Sequence, residues 1–258
     1  MRLWWVLFRK ELLESSRNFK WLWMPCVFII FGITEPLTAF YLPDILDAVG
    51  NLPEGTVIEI PKPTAGEVLL STIGQYSTFG LLIVVLAFMG TVAGERKSGS
   101  AAMILVKPVS YLSYIFAKWA AALLLVLSSY SVGMMISWYY INLLFESITA
   151  TSFFQTFVIF GAWLVFVLTL TVFFSSLVKM PGIAAFATIG ITVILSFLSG
   201  TIENRFTWLP SNLTAYAQEI LLLNKWSNDA TITLVLTLSV SCLLIIVTPL
   251  LFKKKELL

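Results

Sequence analysis

Residues 154–178, FQTFVIFGAWLVFVLTLTVFFSSLV, contain no Asp, Glu, Lys or Arg from end to end. An uninterrupted apolar run longer than ~18 residues matches the thickness of a bilayer rather than the width of a soluble core. Working outward, the same signature recurs at about 21–41, 69–92, 113–140, 182–201 and 230–252, so the chain reads as an all-α integral membrane protein of about six spans, a single transmembrane domain over 1–258. Composition agrees: 59% of residues are hydrophobic and 12% charged, against roughly 45–50% and about 25% in soluble domains.

The connections separate into two kinds. Residues 1–20 predict an interfacial helix with Trp5, Phe8, Leu12 and Phe19 along one apolar stripe. Arg9, Lys10, Glu11, Glu14, Arg17 and Lys20 stand where the apolar region of a cleavable signal would lie, so the segment is expected to stay attached. Residues 42–68, with Asp44, Asp47, Glu54, Glu59 and Glu67 among Pro43, Pro53, Pro61 and Pro63, predict a long loop. Lys179-Met180-Pro181-Gly182 is a tight turn, and 202–229 reads as a short surface or re-entrant segment before the last span. Of the 16 basic residues, only Lys62, Arg205 and Lys225 fall on the side opposite the termini, which predicts that both ends are cytoplasmic.

Several function classes drop out. The chain has no histidine, which removes His-dependent metal and Ser-His-Asp chemistry. Its net charge of +2 gives no argument for nucleic acid. Cys26 and Cys242 each lie in an apolar run and suggest no disulfide. Gly94-Glu95-Arg96-Lys97-Ser98-Gly99-Ser100 is the nearest approach to a phosphate loop and lacks the lysine after its second glycine, so this chain is expected to bind no nucleotide cofactor itself. No internal repeat is evident, which argues against carrier folds built from two related halves.

Residues 93–112 are the most informative connection. They offer the charged run Glu95-Arg96-Lys97, a Gly-Ser-Gly-Ser hinge, an apolar turn at 103–106, then Lys107-Pro108-Val109-Ser110 poised to begin a helix. Read from spacing alone, this is either an ordinary positive-inside loop or a short cytoplasmic helix on which another protein pushes. Within the spans, Ser71, Gln75 and Thr78 fall on one helical face, either lining a pathway or packing helices together. Glu35, followed by Pro36, lies about 14 residues beyond Trp21, ~21 Å along a helix. Its carboxylate either sits at the outer headgroups or faces the interior, binding a cationic group or pairing with Arg205.

The order Glu95, Gly99, Ser100, Leu105, Pro108, Val109, Ser110, Lys118 resembles the loop between spans two and three in permease subunits of type-2 ABC exporters. Arg9-Lys10-Glu11-Leu12 is similar to the basic run that opens those proteins. Ser100 stands where threonine is usual, and Tyr111 where a basic residue is common. The resemblance implies a transport subunit without enzymatic activity of its own. It implies a dimer with a second permease copy or paralogue, and two copies of a cytoplasmic ATPase subunit carrying ATP and Mg. It assigns coupling to residues 95–110 and closure of the outer end to 202–229. Peptides or hydrophobic small molecules are the favoured cargo. The rival readings are an ATPase-independent carrier or channel, for which Glu35 speaks, and a membrane enzyme or accessory subunit acting through Glu35 or Glu203. Asn212-Leu213-Thr214 matches the glycosylation sequon and receives no role.

Overall fold

The structure is a computed structural model and describes residues 2–49, 62–106, 109–201 and 207–256. These residues are helical, without strands, and six helices are long and apolar enough to cross a membrane. Helix α1 (Arg2–Arg17) leads into α2 (Lys20–Val49). The second span is assembled from α3 (Ala65–Gln75), a π-helical turn (Tyr76–Gly80), α4 (Leu81–Phe88) and α5 (Ala93–Ser98), followed by α6 (Ser100–Leu105). Then come α7 (Tyr111–Leu144), α8 (Ala150–Leu177), α9 (Pro181–Thr201), α10 (Asn212–Leu223) and α11 (Asn228–Glu256).

Local chemistry sets the helix starts. Thr64 and Glu67 form a capping box in which each side chain accepts from the other residue's backbone N–H, at 3.3 and 2.7 Å. Ser110 caps α7 and Thr149 caps α8 in the same sense, each accepting one backbone N–H of the first turn. Gly99, at φ 77°, supplies the left-handed residue that separates α5 from α6. Phe19 is not on α1: it forms the elbow before α2 with φ 54°, a conformation that costs an aromatic residue strain.

The spans run longer than hydropathy draws them. The helix of the first span, α2, continues through Pro43 to Val49, so Asp44 lies on the helix rather than in a loop. A proline in a helix leaves the carbonyl four residues back without its donor, and for Pro43 that is the carbonyl of Ala39. The helix of the third span, α7, begins at Tyr111 and ends at Leu144. Within 202–229, α10 is a packed helix, with Leu213, Tyr216, Ala217, Ile220 and Leu221 buried.

Helix α8 is the centre of the bundle: Trp163, Leu164, Val167 and Leu168 are buried, and α4, α7, α9, α10 and α11 all pack on it. Helices α2 and α7 cross closely, sealed by rings of Phe28, Tyr76, Tyr130 and Phe160. Outward faces are apolar, as with Phe186, Val193 and Phe197 on α9, and both cysteines are free and exposed on such faces. Hydroxyls within the spans mostly return to their own helix, as Thr188 to the Ala184 carbonyl and Thr237 to the Thr233 carbonyl, which satisfies them without water.

Candidate functional site

At one end of the bundle α1, α5, α7, α8 and α11 converge on Glu95 and Arg96. Lys118 lies one turn beyond Tyr114 on α7, and (i, i+4) spacing places both on one face. Its ammonium is 2% exposed and donates to Glu11 and Glu95, at 2.9 Å each. Lys10 reaches Glu95 at 2.5 Å and Glu11 and Glu14 at 3.0 Å each. The Tyr114 hydroxyl donates to the other Glu95 oxygen at 2.5 Å. Glu95 is therefore turned inward, its side chain 12% exposed, and charge-assisted bonds of this kind are the strong ones.

The carboxylate oxygens of Glu11, Glu14 and Glu95 lie within 4.8 Å of one another. Lys10 bonds to all three, so its ammonium holds the place a metal cation would take. Burial alone works to lower the Lys10 pKa, but the Glu11 and Glu95 carboxylates more than offset it and hold the amine above the usual lysine range. A lysine pKa raised in the folded state contributes stability below the unfolded value of about 10.4 and loses it only as pH climbs through the folded value. The Lys10 charge thus stays in place at neutral pH.

Arg96 faces the other way. Its guanidinium donates to the Ser176 carbonyl at 3.0 Å and lies 5.4 Å from the Phe252 ring centre. Phe252 is buried and stacks on Tyr114, which ties the end of α11 to the same cluster. Behind it, the Ser175 hydroxyl accepts from the backbone N–H groups of Val92 and Ala93 and donates to the Met89 carbonyl. A cleft of about 680 Å3 opens between α1 and this segment, lined by Glu14, Asn18, Lys20, Glu95 and Ser100 among others. Lys20 is fixed there by the Ala87 carbonyl at 2.6 Å and the face of Phe88.

The residues singled out from sequence divide. Gly99 makes the left-handed turn, the Ser100 hydroxyl approaches the Glu95 carbonyl at 3.4 Å, Leu105 ends α6, Val109 is half-buried against the core, and Ser110 caps α7. Pro108 lies outside the described residues, as do Glu203 and Arg205. Glu35 is half-buried on α2 and makes no ion pair with a described residue.

Ser71, Gln75 and Thr78 straddle a change of helical register. The π turn begins immediately after Gln75 and shifts the helical register. Ser71 and Thr78 are exposed and donate to the Glu67 and Gly74 carbonyls of their own helix, while the Gln75 Oε1 is buried without a partner. Of the three, Thr78 alone lines the cleft of about 840 Å3 at the other end of the bundle, with Ser196, Ser199, Tyr216, Glu219 and Asp229.

Sequence reading passed over the grouping of Lys10, Glu11 and Tyr114 with Glu95, and the part played by Ser175 and Ser176. One signal was present: Lys118 interrupts an otherwise apolar span, and a lysine there needs partners.

A family model described as ABC-2 family transporter protein matches residues 5–257. The chain is also similar to the uncharacterized transmembrane protein YxlG of Bacillus subtilis (strain 168), 32% identical over 252 residues covering 95% of each chain.

Proposed function

Because this chain belongs to the ABC-2 family of transporter proteins, a multi-pass membrane family with a transport role, we propose that it is the permease of an exporter driven by ATP hydrolysed on a separate subunit. Both termini then face the cytoplasm, two permeases pair in the membrane, and two ATPase subunits carrying ATP and Mg dock beneath them.

The observation that carries this reading is α6. It leaves the bundle through the Gly99 turn and exposes Met103 at 71% and, at the C-cap just after it, Val106 at 87%, while Ala101 is buried. Exposed apolar side chains on the outer flank of a span are accounted for by lipid. On a six-residue helix beside the charged cluster they are suited instead to a protein partner. Glu95 and Arg96 clamp the preceding helix to α1, α7, α8 and α11, so a push on α6 moves helices rather than a slack loop. In this scheme residues 95–110 couple the chain to the ATPase, and α10 with its flanking segments closes the outer end. Glu35 and Thr78 face the route of a peptide or hydrophobic cargo.

The test is co-expression with the cognate ATPase and measurement of phosphate release. The purified chain alone is expected to release none and to support hydrolysis only in complex. Met103→Glu combined with Val106→Glu should lower recovery of the complex at least about tenfold, since apolar anchors dominate interface energy, while insertion of the permease is unchanged. Hydrolysis by the chain alone, or undiminished recovery of the double variant, overturns the proposal.

A further inference from the structure

The interruption between α4 and α5 poses an accounting problem. Residues 89–92 leave the helix, and Val92, at φ −112° and ψ −46°, occupies the N-cap position of α5. Valine has no side-chain acceptor to offer the first N–H groups of the new helix. Val92 and Ala93 are fully buried, so water does not serve either. The cap comes instead from α8: Ser175 Oγ, itself 0% exposed, accepts from Val92 N at 3.1 Å and Ala93 N at 3.0 Å. Its hydroxyl proton goes to the Met89 carbonyl at 2.7 Å, so one side chain satisfies three groups of the break. The next residue adds a second tie, because Arg96 donates to the Ser176 carbonyl in the last turn of α8, where carbonyls lack helical partners and cations are favoured.

At its other end α8 holds α10. Ser152, in the first turn of α8, donates to the side-chain carbonyl of Asn224 at 2.9 Å. Asn224 is the left-handed residue that terminates α10, whose buried face packs on α8. Ser152 and Ser175 are 23 positions apart on one helix, roughly 35 Å. Between them α8 is unbroken from Ala150 to Leu177, whereas the second span, another element reaching from α5 to α10, changes register at 76–80 and leaves the helix at 89–92. Helix α11, which meets Arg96 through Phe252 and also packs on α10, carries Pro249 inside its helix.

We propose that α8 is the rod that carries displacement between the α5–α6 segment and α10, with Ser175 and Ser176 as positioning residues at one end and Ser152 at the other. The proposal rests on the reading of α5–α6 as the ATPase contact and names the element through which that contact reaches the outer end.

The test uses the full chain in lipid nanodiscs, followed by hydrogen exchange of residues 92–98 and 212–223. Ser175→Ala is expected to speed exchange about tenfold in both segments, since buried N–H groups lose their acceptor and the rod loses its anchor. Ser175→Thr, which keeps the hydroxyl, should restore the parent rate. Thr171→Ala is the control: Thr171 is as buried but donates only to the Val167 carbonyl of its own helix, and both segments should exchange as in the parent. Faster exchange confined to 92–98, or an equal effect of Thr171→Ala on α10, overturns the proposal. With the ATPase bound, MgATP and vanadate should change α10 exchange in the parent and leave it unchanged in Ser175→Ala. Failure of the parent complex to assemble counts against the ATPase reading alone, because the first comparison needs no partner.

Discussion

Lys118→Met is expected to lower the stability of the chain by about 3–5 kcal/mol, the cost of removing one partner from a buried ion pair. The ammonium is 2% exposed and is shared by Glu11 and Glu95, which are themselves 12% exposed. Methionine fills a similar volume, so the change isolates charge from packing. It leaves Lys10, with a side chain 39% exposed, as the one remaining cation bonded to Glu11, Glu14 and Glu95 among the described residues. In a thermal scan in detergent the loss should appear as a drop of about 10 °C or more. Lys179→Met, on an exposed turn, should stay within about 0.5 kcal/mol of the parent. Adding Glu95→Gln to Lys118→Met removes one of the three carboxylates left on a single ammonium and should recover part of the loss. If Lys118→Met melts with the parent, the cluster is solvated and the rigid clamp assigned to it does not exist.

The six spans were legible because each carries its own evidence: a run of 154–178 without charge needs no partner to be read. Span ends were less so. Pro43 and Asp44 look like a loop opening, yet one missing donor and one exposed carboxylate are tolerated at the end of a long helix. The register of Ser71, Gln75 and Thr78 was hidden for a different reason. Helical periodicity assumes 3.6 residues per turn, and the π turn after Gln75 breaks it; Gly74 precedes the turn and Gly80 ends it, but isolated glycines do not specify a π turn.

At the charged cluster, the residue types were visible and the grouping was not. Lys10 stands 85 positions from Glu95, and Glu11 stands 107 from Lys118, so only the fold brings them within a hydrogen bond. Resemblance singled out Glu95 and Lys118 as points in a motif, whereas the structure supplies a physical reason: each is buried, and each charge is tolerable only because the others are present. Ser175 had no sequence signal at all. A serine in an apolar helix ordinarily bonds its own preceding turn, and nothing local marks one whose hydroxyl caps another helix.

Gly133→Ala should be among the most damaging single-methyl changes at the described glycines, costing about 3 kcal/mol, the upper end of the usual range for overpacking. A Cβ built on Gly133 lies 2.6 Å from the Phe28 carbonyl oxygen and 2.5 Å from the Tyr76 hydroxyl, and one built on Gly32 lies 2.4 Å from the Gly133 carbonyl oxygen. Helices α2 and α7 therefore meet backbone to backbone, an approach that small residues permit and that drives association where lipid offers no hydrophobic gain. The Tyr76 hydroxyl closes the crossing by donating to the Phe28 carbonyl at 2.8 Å. A methyl at Gly133 cannot be absorbed by rotating one side chain, because the Phe28 oxygen belongs to a helix backbone. Separating the helices would break the Tyr76 bond and open the ring contacts of Phe28, Tyr76 and Tyr130. Gly161→Ala is the matched control: its nearest foreign atom is a Tyr130 ring carbon at 3.5 Å, an ordinary contact, and stability should hold or rise slightly from helix propensity. Tyr76→Phe alone should cost about 1 kcal/mol, one hydrogen bond. Combined with Gly133→Ala it should rescue little, because it removes the hydroxyl obstacle and leaves the carbonyl. Full rescue by Tyr76→Phe would place the obstruction at the hydroxyl, and a Gly133→Ala protein that melts with the parent would show that the two helices are not in contact there.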